Sequence, residues 1–228
     1  MRTRSARPAV GYLALAIADT LLAARRGTAA RRARAATKPL LMPTLAVALG
    51  SRTAGQATRL TKGVLVAQAC SWAGDVALLG KGGRAFLAGL GSFFVGHVGY
   101  IAAFGSARDR SAPLRTPGTQ AAAALLAVAG PAMVVAAGRK DARMRIPVAA
   151  YTCVLATMFA ASTRLDPALP AESRRAIVAG TSLFLISDTI LGIREFVLDQ
   201  PSPAVDAAVM ATYTAGQGLI AAGAAISG

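Results

Sequence analysis

The chain has 228 residues, 54% hydrophobic and 15% charged, with a mean hydropathy of +0.51, too apolar for a water-soluble domain and in the range of a membrane protein. Its two cysteines, Cys70 and Cys153, each lie in an apolar run, which excludes a disulfide-built secreted domain. The formal charge of +15 is spread between apolar stretches rather than gathered on one basic face with stacking aromatics, so no nucleic-acid partner is expected; anionic membrane lipids are, and no protein partner is implied.

A helix crossing the hydrocarbon core needs about 20 apolar residues. Eight such segments are predicted, near 9–24, 39–51, 63–80, 85–105, 118–138, 146–163, 176–193 and 205–227. The expected fold is an all-α integral membrane protein, a bundle of eight transmembrane helices forming one domain over residues 1–228, multi-pass and placed in the cell membrane. The opening MRTRSARPAVGYLALAIADTLLAARR has the outline of a signal peptide, but Asp19 interrupts its apolar part. A basic run, RRGTAARRARAATK at 25–38, then stands where a cleavage region belongs, so the segment is read as the first span and the run as a loop. The second segment is short: residues 39–51 make about 20 Å of helix, and either snorkelling end residues or a re-entrant path would accommodate it. Loop cations are nearly balanced between the two faces, so the richest early loop, 25–38, is what argues for a cytoplasmic first loop.

Polar residues inside apolar runs are the main functional clue, because a charge in hydrocarbon is costly and persists where it faces a bundle interior. Gln68, Ser71 and Asp75 share one helical face in the third span. Span four carries a small-residue stripe, Gly89, Ser92, Gly96 and Gly99, suited to close helix contact. Beside it runs Leu90, Phe93, His97, Tyr100 and Phe104, which sets the only histidine next to a phenol. Span seven aligns Thr181, Phe184, Asp188, Leu191 and Glu195, and span eight aligns Asp206, Met210, Tyr213 and Gln217.

Eight antiparallel spans bring Asp19, Lys38, Asp75, Asp188 and Asp206 toward one membrane face, with His97, Tyr213 and Gln217 nearer the midplane. That pattern predicts a cavity open to one face with a carboxylate-rich mouth. Asp19, Asp206 and Glu195 lie near span ends, where head-group solvation or capping accounts for them. Lys38 is read as a counter-ion for an aspartate, a phosphate ligand or a snorkelling cation. One histidine cannot build an all-histidine zinc site and neither cysteine has a ligand nearby, so no metal and no cofactor are expected. Ser71 and Ser187 are possible nucleophiles, though serines in membrane helices usually bond the preceding turn.

Five strings, TKPLLMP at 37–43, SWAGDVALL at 71–79, FLAGLGSFFVGHVGYI at 86–101, GTSLFLISDTILGIREF at 180–196 and TYTAGQGLI at 212–220, resemble in order and spacing the YhhN-like lysoplasmalogenase family of multispan membrane proteins. The resemblance runs over essentially the whole chain. It implies an eight-helix hydrolase of lipid metabolism that cleaves the vinyl ether bond of lysoplasmalogens, or a related lysophospholipid, to a fatty aldehyde and a glycerophospho-alcohol. The family's paired aspartates fall on Asp75 and Asp188 as the catalytic pair. Its lysine, histidine, tyrosine and glutamine positions fall on Lys38, His97, Tyr100 or Tyr213, and Gln217. This chain departs in its richness in Ala and Arg and in its short second span.

The residues suit that chemistry independently. Vinyl ether hydrolysis begins with slow proton transfer to the alkene carbon, giving an oxocarbenium-like ion that water captures, so an acid must donate and an anion must stabilise. Two carboxylates divide such roles when their surroundings differ. The competing expectation is a proton- or cation-coupled transporter of a small amphiphile, with Asp75, Asp188 and His97 as a relay; the lack of an inverted repeat or paired broken helices counts against it. A structural or lipid-binding membrane protein is a third.

Overall fold

A computed structural model of the protein describes residues 2–227, with side chains described from residue 7. Eight α-helices follow one another: α1 (Arg2–Ala23), α2 (Thr28–Arg52), α3 (Arg59–Ala77), α4 (Gly83–Ser106), α5 (Pro117–Lys140), α6 (Arg145–Ser162), α7 (Ala171–Phe196) and α8 (Pro203–Ile226), with a 3₁₀ turn at Ala142–Met144 leading into α6. Among the described residues there is no strand, only an isolated bridge between Arg108 and Leu165 that ties the α4–α5 and α6–α7 loops together. Five segments are long and apolar enough to cross a membrane: Gly83–Ser106, Pro117–Lys140, Ala142–Ser162, Ala171–Phe196 and Pro203–Ile226. The composition is therefore that of a membrane protein. The expected eight helices are present, but membrane-crossing apolarity is met by these five.

The second segment corrects the expectation. The basic run is not a loop from 25 to 38: helix begins at Thr28, because Ala and Arg are strong helix formers, and the turn shrinks to residues 24–27 with Gly27 at φ 113°. Lys38 therefore lies mid-helix rather than opening a span. Pro39 and Pro43 both sit inside α2. Pro43 has no N–H, so the Pro39 carbonyl lacks its helical partner. The indole of Trp72 on α3 donates to that carbonyl at 2.9 Å, which satisfies it and fastens α2 to α3.

Neighbouring helices pack as hairpins, α1 on α2, α3 on α4, α5 on α6 and α7 on α8. The bundle centres on α8, which also touches α1, α2 and α3, whereas α5 lies at the edge and buries only Ala122, Gly130 and Ala137. The predicted small-residue stripe of α4 faces α3: a Cβ on Gly96 would stand 3.3 Å from the Ala67 carbonyl oxygen, and the Ser92 hydroxyl donates to the Cys70 carbonyl at 2.7 Å. The closest approach of a glycine to a neighbouring helix's backbone joins α7 to α8. There a Cβ on Gly180 would meet the Gly216 carbonyl oxygen at 2.7 Å, so only glycine lets the two backbones come this close. Val10, Leu13, Ile17 and Leu21 of α1 face outward at helical spacing, as a lipid-facing stripe does.

Candidate active site

Asp75 projects from α3 into the interior and is almost fully buried. Its Oδ1 lies 3.4 Å from Lys38 Nζ on α2, and its Oδ2 accepts from the Tyr213 hydroxyl on α8 at 2.7 Å. Burying an ammonium and a carboxylate is tolerable only as a pair with further hydrogen bonding, which Tyr213 supplies to Asp75. Of the three readings of Lys38, the structure shows the counter-ion.

Asp188, on α7, has a different environment. Its Oδ2 accepts from the Tyr151 hydroxyl on α6 at 2.6 Å and stands 3.6 Å from His97 Nε2 on α4. His97 Nδ1 lies 2.5 Å from the Phe93 carbonyl oxygen, which can only accept, so Nδ1 carries a hydrogen. A neutral ring then presents the Nε2 lone pair to Asp188, and two lone pairs facing each other in an apolar site repel. At 3.6 Å the two atoms do not hydrogen-bond, and Nε2 has no other hydrogen-bond partner among the described residues.

An aromatic wall separates the two arms. Phe184 of α7 meets His97 edge-on at 4.9 Å and Tyr213 at 5.4 Å, so the partner of each aspartate packs on one ring. Phe93 lies over Gly74, where a Cβ would come within 2.7 Å of its ring. Behind the wall, the Tyr100 hydroxyl donates to Gln217 Oε1 and Gln217 Nε2 donates to Ser71 Oγ at 3.1 Å.

A polar cavity of about 500 Å³ opens at the loop end formed by the α3–α4, α5–α6 and α7–α8 connections, lined by Arg34, Lys38, Asp75, Ser187, Asp188, Arg194, Asp206 and Tyr213 among others. A narrow apolar crevice between α4, α5, α6 and α7 adjoins it, lined by Leu90, Leu125, Leu126, Met133, Leu155 and Leu185 with Tyr151 and Asp188. The two spaces share Leu78, Phe86, Phe93, Asp188, Leu191 and Phe196. Asp188 is thus the carboxylate at their junction, and Asp75 belongs to the polar side alone.

The sequence-predicted residues divide accordingly. Lys38, Asp75, Ser187, Asp188 and Tyr213 line the cavity, and Ser71, His97, Tyr100 and Gln217 stand behind its wall. The Ser71 hydroxyl bonds back to the Ala67 carbonyl at 3.0 Å, and that of Ser187 donates across to Val209 of α8 at 3.0 Å, so neither is presented with a neighbouring base. His97 and Tyr100 do not work side by side as their shared stripe suggested. The phenol facing His97 is Tyr151, with ring centroids 5.2 Å apart, because α6 packs on that side of α4 while Tyr100 turns to α8. Asp19 is not at a solvated end either: it is fully buried and held by Thr37 and Arg34. Asp206 and Glu195 do lie at the rim, paired with Arg194.

Tyr151 was not singled out by the sequence. Each of the four tyrosine hydroxyls donates to an interior acceptor, a regularity that only the packed bundle shows. Among the described residues, no group of three or more His, Cys, Asp or Glu side chains is placed to hold a metal ion.

The model of the YhhN family matches residues 33–224, most of the chain. The chain belongs to the YhhN family. Its matched region starts within α2 and reaches α8, so it takes in Asp75, Asp188 and every other predicted site residue. No curated protein and no solved structure matches the chain.

Proposed function

We propose that this YhhN family member is a membrane-embedded hydrolase that cleaves the vinyl ether bond of lysoplasmalogens or closely related lysophospholipids. The observation that carries the proposal is the place of Asp188, where a polar cavity meets an apolar crevice. A lysolipid is polar at one end and hydrocarbon at the other, and its vinyl ether bond lies at that boundary. With the head group in the cavity and the alkenyl chain in the crevice, the bond falls beside Asp188. Family membership is consistent with this reaction.

The two carboxylates then take separate roles. A proton on the Asp188 carboxyl passes to the alkene carbon remote from oxygen, and the alkene π pair forms the new C–H bond. The adjoining carbon becomes an oxocarbenium ion. Asp75, ion-paired with Lys38 and hydrogen-bonded by Tyr213, supplies the fixed negative charge that stabilises it and orients the water that attacks. The proton released by the attacking water returns to the Asp188 carboxylate, and the hemiacetal collapses to aldehyde and glycerophospho-alcohol, one water having been consumed. Tyr151 positions the Asp188 carboxyl, and the Tyr100–Gln217–Ser71 chain holds α3, α4 and α8 in register.

All eight helices are proposed to cross the bilayer, since α1, α2 and α3 have 22, 25 and 19 residues and pack in the same bundle as the five apolar segments. The deciding experiment incubates purified protein in nanodiscs with a 1-alkenyl lysophospholipid and with its saturated 1-alkyl counterpart, assaying free aldehyde. Aldehyde from the first alone is expected. No aldehyde, together with proton-dependent flux of an amphiphile in liposomes, would replace the hydrolase by a transporter.

A further inference from the structure

We infer that Arg34, held by Asp19, is the ligand for the substrate's phosphate at the mouth of the cavity; this rests on the lysophospholipid reading above and adds the residue that recognises the head group. Asp19 of α1 has no exposed surface, accepts from the Thr37 hydroxyl at 2.7 Å, and faces Arg34 Nε and Nη2 at 3.2–3.4 Å. Asp19 therefore takes one edge of the planar guanidinium. Its other edge, Nη1 with the second hydrogen of Nη2, has no acceptor among the described residues, and the side chain is 24% exposed while lining the polar cavity. An arginine fixed along one edge by a buried carboxylate, with its free edge on a cavity, is preorganised to grip a phosphate through two parallel hydrogen bonds.

The other cations of the cavity are committed elsewhere. Lys38 is paired with Asp75, Arg194 with Asp206 and Glu195 at the α7–α8 rim, and Lys140 donates to the Glu195 carbonyl. Depth agrees as well. Arg34 lies four residues before Lys38 on the same face of α2, about 6 Å nearer the loop end. In a 1-alkenyl glycerophospholipid five bonds separate phosphorus from the vinyl ether oxygen, roughly 6 Å at the span per bond of an extended chain. A phosphate on Arg34 thus sets the ether oxygen level with Lys38 and Asp75, and the alkene one step further in. The supporting carboxylate comes from α1, ahead of the residues the family model matches.

Two matched substrates test this: a 1-alkenyl-glycerophosphocholine and the 1-alkenylglycerol that lacks the phosphate. Arg34→Met is expected to lower the ratio of their kcat/KM values about 10- to 100-fold, acting through KM. Arg34→Lys should recover only part of this, because an ammonium keeps the charge but not the fork. Asp19→Asn should move the ratio in the same direction by less. A pair that only staples α1 to α2 would affect both substrates equally, and an unchanged ratio in Arg34→Met would overturn the inference. Binding of the uncleavable 1-alkyl-glycerophosphocholine to nanodisc protein gives a second measurement, with the same weakening expected. If wild type releases no aldehyde yet binds this ether lipid in an Arg34-dependent way, the hydrolase reading fails and the phosphate site stands. Equal binding by wild type and Arg34→Met would remove the site whether or not aldehyde is released.

Discussion

Asp188→Asn separates chemistry from architecture at the junction of the two spaces. In the native site, Tyr151 donates to Asp188 at 2.6 Å and His97 Nε2 stands 3.6 Å away with its Nδ1 hydrogen bonded to the Phe93 carbonyl. Asparagine with its Oδ1 in the place of Asp188 Oδ2 still accepts from Tyr151, and His97 Nε2 faces that same oxygen as it does in the native site. The variant should therefore fold with a stability change below about 1 kcal/mol, since the Tyr151 hydroxyl keeps its acceptor. What it loses is an exchangeable proton, and losing general acid catalysis lowers rates by roughly 10²- to 10⁴-fold, or about 2.7 to 5.5 kcal/mol of barrier. Asp188→Ala is the contrasting variant, because it leaves the Tyr151 hydroxyl buried without an acceptor and should cost about 1–3 kcal/mol of stability as well. Initial rates of aldehyde release, set against thermal unfolding in the same detergent, give the comparison. Aldehyde release by Asp188→Asn above a tenth of the wild-type rate, in a normally folded protein, would refute the assignment of Asp188 as the proton donor.

Asp75→Asn should both abolish hydrolysis and destabilise the fold by about 3–5 kcal/mol, because it leaves the Lys38 ammonium buried without its counter-ion; adding Lys38→Met should restore stability, read by unfolding in SDS, without restoring activity. Gly180→Ala forces a methyl group to within 2.7 Å of the Gly216 carbonyl oxygen. A loss of about 1–3 kcal/mol is expected, with reduced activity, since α7 carries Asp188 and α8 carries Tyr213. Trp72→Phe removes the donor to the Pro39 carbonyl and should lower the unfolding midpoint by an amount equivalent to about 0.5–1.5 kcal/mol, with aldehyde release per folded molecule unchanged. Ala129→Phe fills the apolar crevice lined by Ala129, Leu125 and Met133 and should shift the chain-length profile of released aldehydes toward shorter chains; an unmoved profile would place the alkenyl chain elsewhere.

The membrane class, the helical content and the two aspartates were legible in the sequence because each depends on short-range regularities. Apolar length sets which segments cross a bilayer, and the cost of burying a charge makes Asp75 and Asp188 stand out within apolar runs. Helical spacing likewise placed Gly96 and Gly99 on the face that meets α3. The rotation of one helix about another is not a local property, and there the sequence was silent. His97 and Tyr100 are three residues apart, yet α6 claims the first through Tyr151 and Asp188 while α8 claims the second through Gln217. Tyrosine is ordinary in membrane helices, so nothing in the local pattern of α6 marked Tyr151 as the donor to a carboxylate 37 residues away. The basic run 25–38 looked like a loop by charge, but the α1–α2 hairpin gives two of its cations interior partners, Arg34 on Asp19 and Lys38 on Asp75. Only packing decided which charges meet, because an ion pair between helices is a property of their relative position and not of either helix alone.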